Sequence, residues 1–403
     1  MIEPRLIILQ PTPYCNINCS YCYLGRRDDK RLMAPEVVEA LREKVFGRLS
    51  RRSAPIVVWH AGEPTAAPIE WYEHAYDRLL DVAPPQTSFA MQSNGIAIDA
   101  RWIDLFRRTN TNVSLSIDGP QRFHDARRRT RNDRPTWYLA VGALKRLQDA
   151  GFDPSVITVL HPDGLQCPED YYAFYREHGV TQISFSVDEL EGANKSSSFS
   201  GRDFKAAITG FVVAVLEQAY CDGFPLHIRE VERIAQKLAG AELSGNEQVE
   251  PWAALVVAAD GAVSTFSPEF MEMSAPAYDN FVFGNIVEAD LEEFSDRPAF
   301  LRANRDVADG VEACKKSCRY FSVCGGGSPV NKLSEKSDMR ATETDFCRLT
   351  TQTSADALLS FLARRSQSTK IFRGSESHYA SIDSLGVELC RRSFPGSGVI
   401  PTF

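Results

Sequence analysis

The stretch that most constrains this chain is Pro11-Thr-Pro-Tyr-Cys15-Asn-Ile-Asn-Cys19-Ser-Tyr-Cys22-Tyr23. Its three thiols, spaced C-x3-C-x2-C, follow directly on the short apolar run Leu6-Ile-Ile-Leu9. A strand that empties into a compact loop of cysteines can hold a metal or an iron–sulfur cluster. Structural zinc ordinarily draws four ligands from paired cysteine units, and here the local count stops at three. Three thiolates on a four-iron cube leave one iron without a protein ligand, open to a small molecule. The chain must therefore present the C-terminal end of its first strand as a ligand site.

Strand-like and helix-like patterns then alternate to about residue 190. Candidate strands are Leu6–Gln10, Ile56–His60, Ser88–Gln92, Val113–Ile117, Ser155–Leu160 and Gln182–Ser186, rich in β-branched and aromatic residues as buried parallel strands are. Between them lie amphipathic segments at Pro35–Leu49, Ile69–Val82, Asp99–Arg108, Tyr138–Ala150 and Glu169–His178. Gly151 and Gly179 sit where helix C-caps are expected. Six such units predict an α/β fold, a partial (β/α)6 TIM-like barrel with ligands at the C-terminal strand ends. The expected organisation is a barrel at 1–190, a linker and bridging helices at 191–249, a cysteine-bearing domain at 250–350, and a C-terminal helix and tail at 351–403. Residues 191–200 read as a polar linker or mobile loop. The tail, with Tyr379-Ala-Ser381 and Phe394-Pro-Gly396, reads as a disordered or docked terminus.

Composition narrows the function class. At 403 residues the chain has room for two domains, or one barrel with an extension. A net charge of −8 with no long basic run argues against nucleic acid. No apolar stretch reaches a membrane span, and no signal-peptide region opens the chain. Seven of the ten cysteines fall into two spaced groups, while Cys167, Cys221 and Cys390 stand alone. That usage favours metal ligation in a reducing cytoplasm.

The first cysteine motif resembles that of the radical SAM superfamily, whose core is the same six-unit partial barrel. The resemblance implies a [4Fe-4S] cluster on Cys15, Cys19 and Cys22 whose open iron chelates S-adenosylmethionine and delivers the electron that cleaves it to a 5′-deoxyadenosyl radical. Turns after the next strands fit this reading. Gly62-Glu63-Pro64, after the second strand, is similar to the family's motif for the amino group of S-adenosylmethionine. Ser93-Asn94-Gly95, after the third, corresponds to contacts with its methionine part. Ser116 and Asp118, after the fourth, suit ribose hydroxyls. Tyr21 occupies the family's aromatic position beside the adenine. His124-Asp125-Ala-Arg127-Arg128 resembles the H-D-x-x-R stretch of relatives acting on proteins and peptides, with Arg128 a carboxylate partner. A solvated basic face accounts equally for Arg127, Arg129 and Arg131. His60, His124 and His161 are acid–base candidates, of which His124 is retained.

The second group is Cys314-x3-Cys318-x5-Cys324-Gly-Gly-Gly, then Cys347. Four thiols suit a closed tetrahedral site, a zinc ion or a fully ligated cluster. The pattern resembles the SPASM extension of radical SAM enzymes, which normally carries two auxiliary clusters. Here Ser264, Ala289 and Ser328 stand at or near three usual cysteine positions, and all three losses belong to one cluster. One auxiliary [4Fe-4S] cluster on Cys314, Cys318, Cys324 and Cys347 is therefore expected. Asp290 stands where some relatives place a catalytic carboxylate, although Asp290-Leu-Glu-Glu293 also reads as a helix capping box.

Leu9-Gln-Pro-Thr-Pro-Tyr-Cys15 and Cys324-Gly-Gly-Gly-Ser-Pro-Val-Asn331-Lys332 resemble cyclophane-forming peptide maturases. The likeness implies a ribosomally made precursor peptide as substrate, a crosslink from a side-chain carbon to an aromatic ring, and an electron donor such as a flavodoxin or ferredoxin. With the first thiol at residue 15, no N-terminal winged-helix recognition domain is expected. The alternative activities are formylglycine formation, as in sulfatase maturases, and other peptide oxidation or epimerisation. A non-catalytic iron–sulfur sensor or scaffold is the alternative outside enzymes.

Overall fold

The computed structural model describes residues 2–241 and 245–372. The apolar runs expected as strands form β1 (Leu6–Leu9), β2 (Ile56–Trp59), β3 (Ser88–Ser93), β4 (Thr111–Ser116), β5 (Ser155–Leu160) and β6 (Gln182–Val187), each pairing in parallel with the next. β1 is buried at every position, as a strand covered on both faces is. The intervening helices span Pro35–Lys44, Ile69–Leu80, Ala100–Thr109, Trp137–Asp149 and Pro168–Glu177. Proline begins the first and last of these, and the Asp99 carboxylate caps the third through the N–H groups of Arg101 and Trp102. Gly151 and Gly179 follow helices in the left-handed region, at φ +86° and +60°.

Strand periodicity sorts the residues into two layers. Ile7, Leu9, Val57, Trp59, Met91, Leu255 and Val257 face the helices and join the main core. Leu6, Ile8, Val58, Ala90, Ala254 and Val256 form a small cluster of their own on the concave side.

Two features lay outside the sequence reading. After β7 (His227–Ile228) beside β6, the chain returns to place β8 (Ala254–Val257) parallel to β1, with Leu6 opposite Ala254 and Leu9 opposite Val257. β9 (Ala262–Thr265) and β10 (Gly284–Asn285) then add antiparallel, giving the order β10-β9-β8-β1-β2-β3-β4-β5-β6-β7 among the described residues. Pairing between segments so distant in sequence leaves no local pattern to read. The stretch 191–200, expected as a linker or mobile loop, is instead packed: Phe199 is buried, Ala193 N–H donates to Tyr23 O at 2.7 Å, and Ser198 N–H donates to Asp188 Oδ2 at 2.7 Å. The helix Pro298–Ser317 carries Cys314, and a π-helical turn at Arg348–Gln352 leads into the helix Thr353–Phe372. Most of the tail discussed above, with Cys390, lies outside the described residues. No helix among the described residues is long and apolar enough to cross a membrane.

Because β8 shares β1 with the barrel strands, truncating its buried Leu255 should weaken the whole unit. Leu255→Ala is expected to cost about 2–5 kcal/mol in urea unfolding, as buried leucine truncations do. Fluorescence and circular dichroism should report one shared transition.

Candidate active site

Two cavities meet at the C-terminal ends of the strands. The first, about 180 Å³, is lined by Val58, Ala90, Ser114, Ile157 and Ser186, one from each of β2 to β6, with Tyr21, Ser116 and Arg128. Alanine and serine fill little volume, so the barrel interior stays open there. The second, about 150 Å³, reaches Cys324 and Cys347 of the extension. Both are lined by Ser186, Glu189, Glu191 and Glu269, so they adjoin.

The cysteine loop is clamped from two sides. On one, Cys15 N–H donates to Arg27 O at 3.1 Å, while Asn18 and Ser20 N–H groups donate to Arg129 O and Arg127 O at 2.7 and 3.0 Å. Arg131 Nε donates to Cys15 O at 2.7 Å, so this arginine braces the loop as well as pairing with Asp28. On the other side, Gly62 sits at φ +66°, where a Cβ would lie 2.3 Å from Thr12 O. Only glycine lets the turn after β2 approach the loop this closely.

Glu63, 2 % exposed, was expected to receive an amino group. Its oxygens accept from Thr65 N–H at 2.9 Å, Thr65 Oγ1 at 2.6 Å, Ser93 Oγ at 2.7 Å and Asn94 N–H at 2.7 Å. Glu63 and Ser93 thus tie the turn after β2 to the turn after β3. Asn94 Nδ2 carries the tie onward, donating to Asn16 Oδ1 in the cysteine loop at 2.7 Å.

Tyr21 OH donates to Asp118 Oδ2 at 2.7 Å and accepts from Arg128 Nη1 at 2.6 Å, while Asp118 Oδ1 accepts from Val159 N–H at 3.2 Å. Asp118 is buried directly behind the first cavity, bonded to its lining residues Tyr21 and Val159; Arg128 is buried with its Nε unpartnered. Ser116 Oγ, on the first cavity, accepts from Gln92 Nε2 at 2.8 Å.

Burial pushes the Cys15 thiol up to about 12 and Cys19 up to about 11, with Arg128 opposing the shift at Cys19. Thiols so desolvated ionise when a cationic centre binds them, which is what an iron cluster provides. Among the described residues, no three His, Cys, Asp or Glu side chains are grouped as ligands of a single metal ion.

Residues 9–174 match the family model described as the radical SAM superfamily. An uncharacterized Synechocystis protein, sll1766, is 31% identical over 365 residues, 89% of this chain and 92% of that protein. The chain belongs to the radical SAM superfamily. It is also 24% identical, over 83% of its length and 85% of the relative's, to a serine-type anaerobic sulfatase-maturating enzyme of Bacteroides thetaiotaomicron. Among solved structures, anSMEcpe with bound AdoMet and the Cp18Cys peptide aligns at TM-score 0.71, 18% identity, covering 90% of this chain and 98% of that one. Streptococcus suis SuiB bound to its precursor peptide SuiA aligns at 0.60 and 14%, covering 86% and 76%. These likenesses fix the fold as that of SPASM-type radical SAM enzymes, which implies S-adenosylmethionine and a [4Fe-4S] cluster.

Four further thiols of this radical SAM enzyme, Cys314, Cys318, Cys324 and Cys347, lie in the extension. Cys314 and Cys318 close the helix Pro298–Ser317, and Cys324 ends the short helix Phe321–Cys324 before three glycines at φ +75°, +116° and +77°. Burial raises the Cys324 thiol, against backbone N–H groups of Gly326 and Gly327 turned toward it. Lys332, 3 % exposed, donates from Nζ to Cys314 Sγ at 3.4 Å. Cys347 is pushed up to about 11 by burial, while Thr344 N–H donates to its Sγ at 3.4 Å.

The two catalytic candidates fall elsewhere. Asp290 is a helix N-cap in a complete capping box with Glu293 and pairs with Arg48 at 2.9 Å; it lines neither cavity. His124 accepts Asp118 N–H at Nδ1 (3.2 Å) and meets Thr136 Oγ1 at Nε2 (3.0 Å). Burial lowers its pKa to about 2, so it is a neutral brace. The sequence reading missed Tyr23, Glu189, Glu191, Glu269 and Lys332. Tyr23, beside Cys22, meets His60 Nε2 at 3.3 Å on the first cavity, and only its adjacency to the cysteine motif hinted at it. Thermal and chemical unfolding of Asp290→Ala should show the loss of a cap, about 0.5–2 kcal/mol, with turnover unchanged. Glu63→Gln, which breaks a charged network, is expected to cost about 1.5–3 kcal/mol and to lower S-adenosylmethionine retention on a desalting column.

Proposed function

We propose that this chain holds S-adenosylmethionine in the first cavity and crosslinks a side chain of a ribosomally made precursor peptide to an aromatic ring. The observation that carries the reading is the adjoining pair of cavities, with Tyr21 and Arg128 on one and Cys324 and Cys347 on the other. Cys15, Cys19 and Cys22 would hold the cluster with the open iron, and Cys314, Cys318, Cys324 and Cys347 one closed auxiliary [4Fe-4S] cluster. With cofactors bound, reductive cleavage of S-adenosylmethionine supplies the hydrogen-abstracting radical.

The chain's own residues position and exclude water. Tyr21, Ser116 and Arg128 offer a ring, a hydroxyl and a buried cation to the cofactor. Gly62, Glu63, Pro64, Ser93, Asn94 and Asp118 hold the turns that frame it. Lys332 places its Nζ 3.4 Å from Cys314 Sγ. A closed auxiliary site suits electron transfer: it would accept the electron lost when the substrate ring regains aromaticity, with a flavodoxin or ferredoxin as external donor. Formylglycine formation is the second reading, favoured by the likeness to the sulfatase-maturating relative.

Anaerobic reconstitution should give about eight irons per chain, four per cube, and 5′-deoxyadenosine on reduction with S-adenosylmethionine. Triple replacement of Cys15, Cys19 and Cys22 by alanine should abolish 5′-deoxyadenosine. Cys347→Ala should keep the first cluster and release 5′-deoxyadenosine without peptide product. A crosslink and serine-derived formylglycine both remove two hydrogens, so hydrazide labelling separates them. A labelled product identifies the aldehyde and sinks the crosslinking assignment; an unlabelled, dehydrogenated peptide sinks the aldehyde.

A further inference from the structure

Glu189, Glu191 and Glu269 each line both cavities at their junction. The first two lie on the loop after β6, the third on the turn after β9, so tertiary folding alone brings them together. Glu191 and Glu269 are 3 % and 7 % exposed. Carboxylates withdrawn from water need a cation or several donors to compensate them.

Compensation here is sparse. Glu189 accepts from Asn331 Nδ2 at 2.8 Å and shares a carboxyl–carboxyl hydrogen bond with Glu191, Glu269 accepts from the Ser267 hydroxyl, and Glu191 Oε1 has no donor in the protein. The three cations lining the second cavity are engaged with other groups: Arg229 with Glu230 and Ser184, Arg233 with the Glu247 and Glu230 carboxylates, and Lys237 with the Val323 carbonyl. Burial and the neighbouring carboxyls raise both Glu189 and Glu191. A separate observation points to a ligand. Ser328 Oγ, 7 % exposed on the same cavity, is also unpartnered. An ammonium brings three donors and a guanidinium five, enough to meet the carboxyls and the serine oxygen together.

We propose that Glu189, Glu191, Glu269 and Ser328 form a subsite for a cationic side chain, lysine or arginine, of the substrate peptide. This rests on the peptide reading above and specifies it. The substrate would carry a basic residue near the modified position, anchored between the two cluster sites.

The test uses the full chain, anaerobically reconstituted and saturated with S-adenosylmethionine but not reduced. Calorimetric titration compares blocked peptides differing only at a central lysine, arginine, norleucine or citrulline. The cationic peptides are expected to bind about tenfold more tightly, a difference of about 1.4 kcal/mol. Glu191→Gln and Glu269→Gln should each erase that preference, with iron content unchanged and the melting temperature equal or higher, since each removes a buried acid. Equal affinity for charged and neutral peptides, no peptide binding, or a preference surviving both substitutions overturns the subsite. Putrescine serves as the free-amine probe: if it binds and the peptides show no preference, the pocket belongs to a small amine and the proposal falls. Failure of the parent reading shows separately, as an absence of 5′-deoxyadenosine after reduction.

Discussion

A loop carrying three thiols and little apolar surface cannot hold its own shape, so this site depends on how residues 12–23 are clamped. The buried Glu63 carboxylate is the keystone. Four donors from the turns after β2 and β3 converge on it, and Asn94 passes the constraint to Asn16. The segment 127–131 grips the opposite side through backbone N–H groups of Asn18 and Ser20 and through Arg131. The loop thereby inherits the register of the parallel sheet. A carboxylate so fully satisfied is rigid, and rigidity is what positioning chemistry demands.

Charge is distributed with the same logic. Around the first cysteine set, buried Arg128 offsets the desolvation of Cys19 and is held by Tyr21. Around the second, buried Lys332 lies against Cys314, and backbone N–H groups of the glycine turn face Cys324. Each set thus has donors or a cation placed beside buried thiols. The acidic wall between the cavities lacks such relief. Its carboxyls sit where a substrate passing between the sites would meet them.

The extension is joined to the barrel as one sheet. β8 lies against β1, the strand from which the first cysteine loop springs, so the auxiliary thiols are built outward from the same central strand. Small inward side chains at Ala90, Ser114 and Ser186 leave the space that the extension covers. Both cavities and the position of the second cysteine group are consequences of one strand order.

Much of this was legible in the sequence. Six parallel strands and their helices follow from apolar runs and amphipathic periods, which are local, and both cysteine sets announce themselves by spacing. Gly62 and Glu63 were legible as a motif but not in role, because a carboxylate's partners come from other strands. Asp290 read both as a catalytic group and as a cap; the capping box is written in four consecutive residues, whereas access to a cavity is not. The elements, the two spaced cysteine groups and the superfamily were readable from the letters alone, since each depends on neighbours within a few residues. That β8 completes the sheet beside β1, that His124 is a brace, and that Glu189, Glu191 and Glu269 line one junction came from the folded chain. Those facts are set by contacts between segments tens to hundreds of residues apart, for which a single chain of letters carries no local pattern.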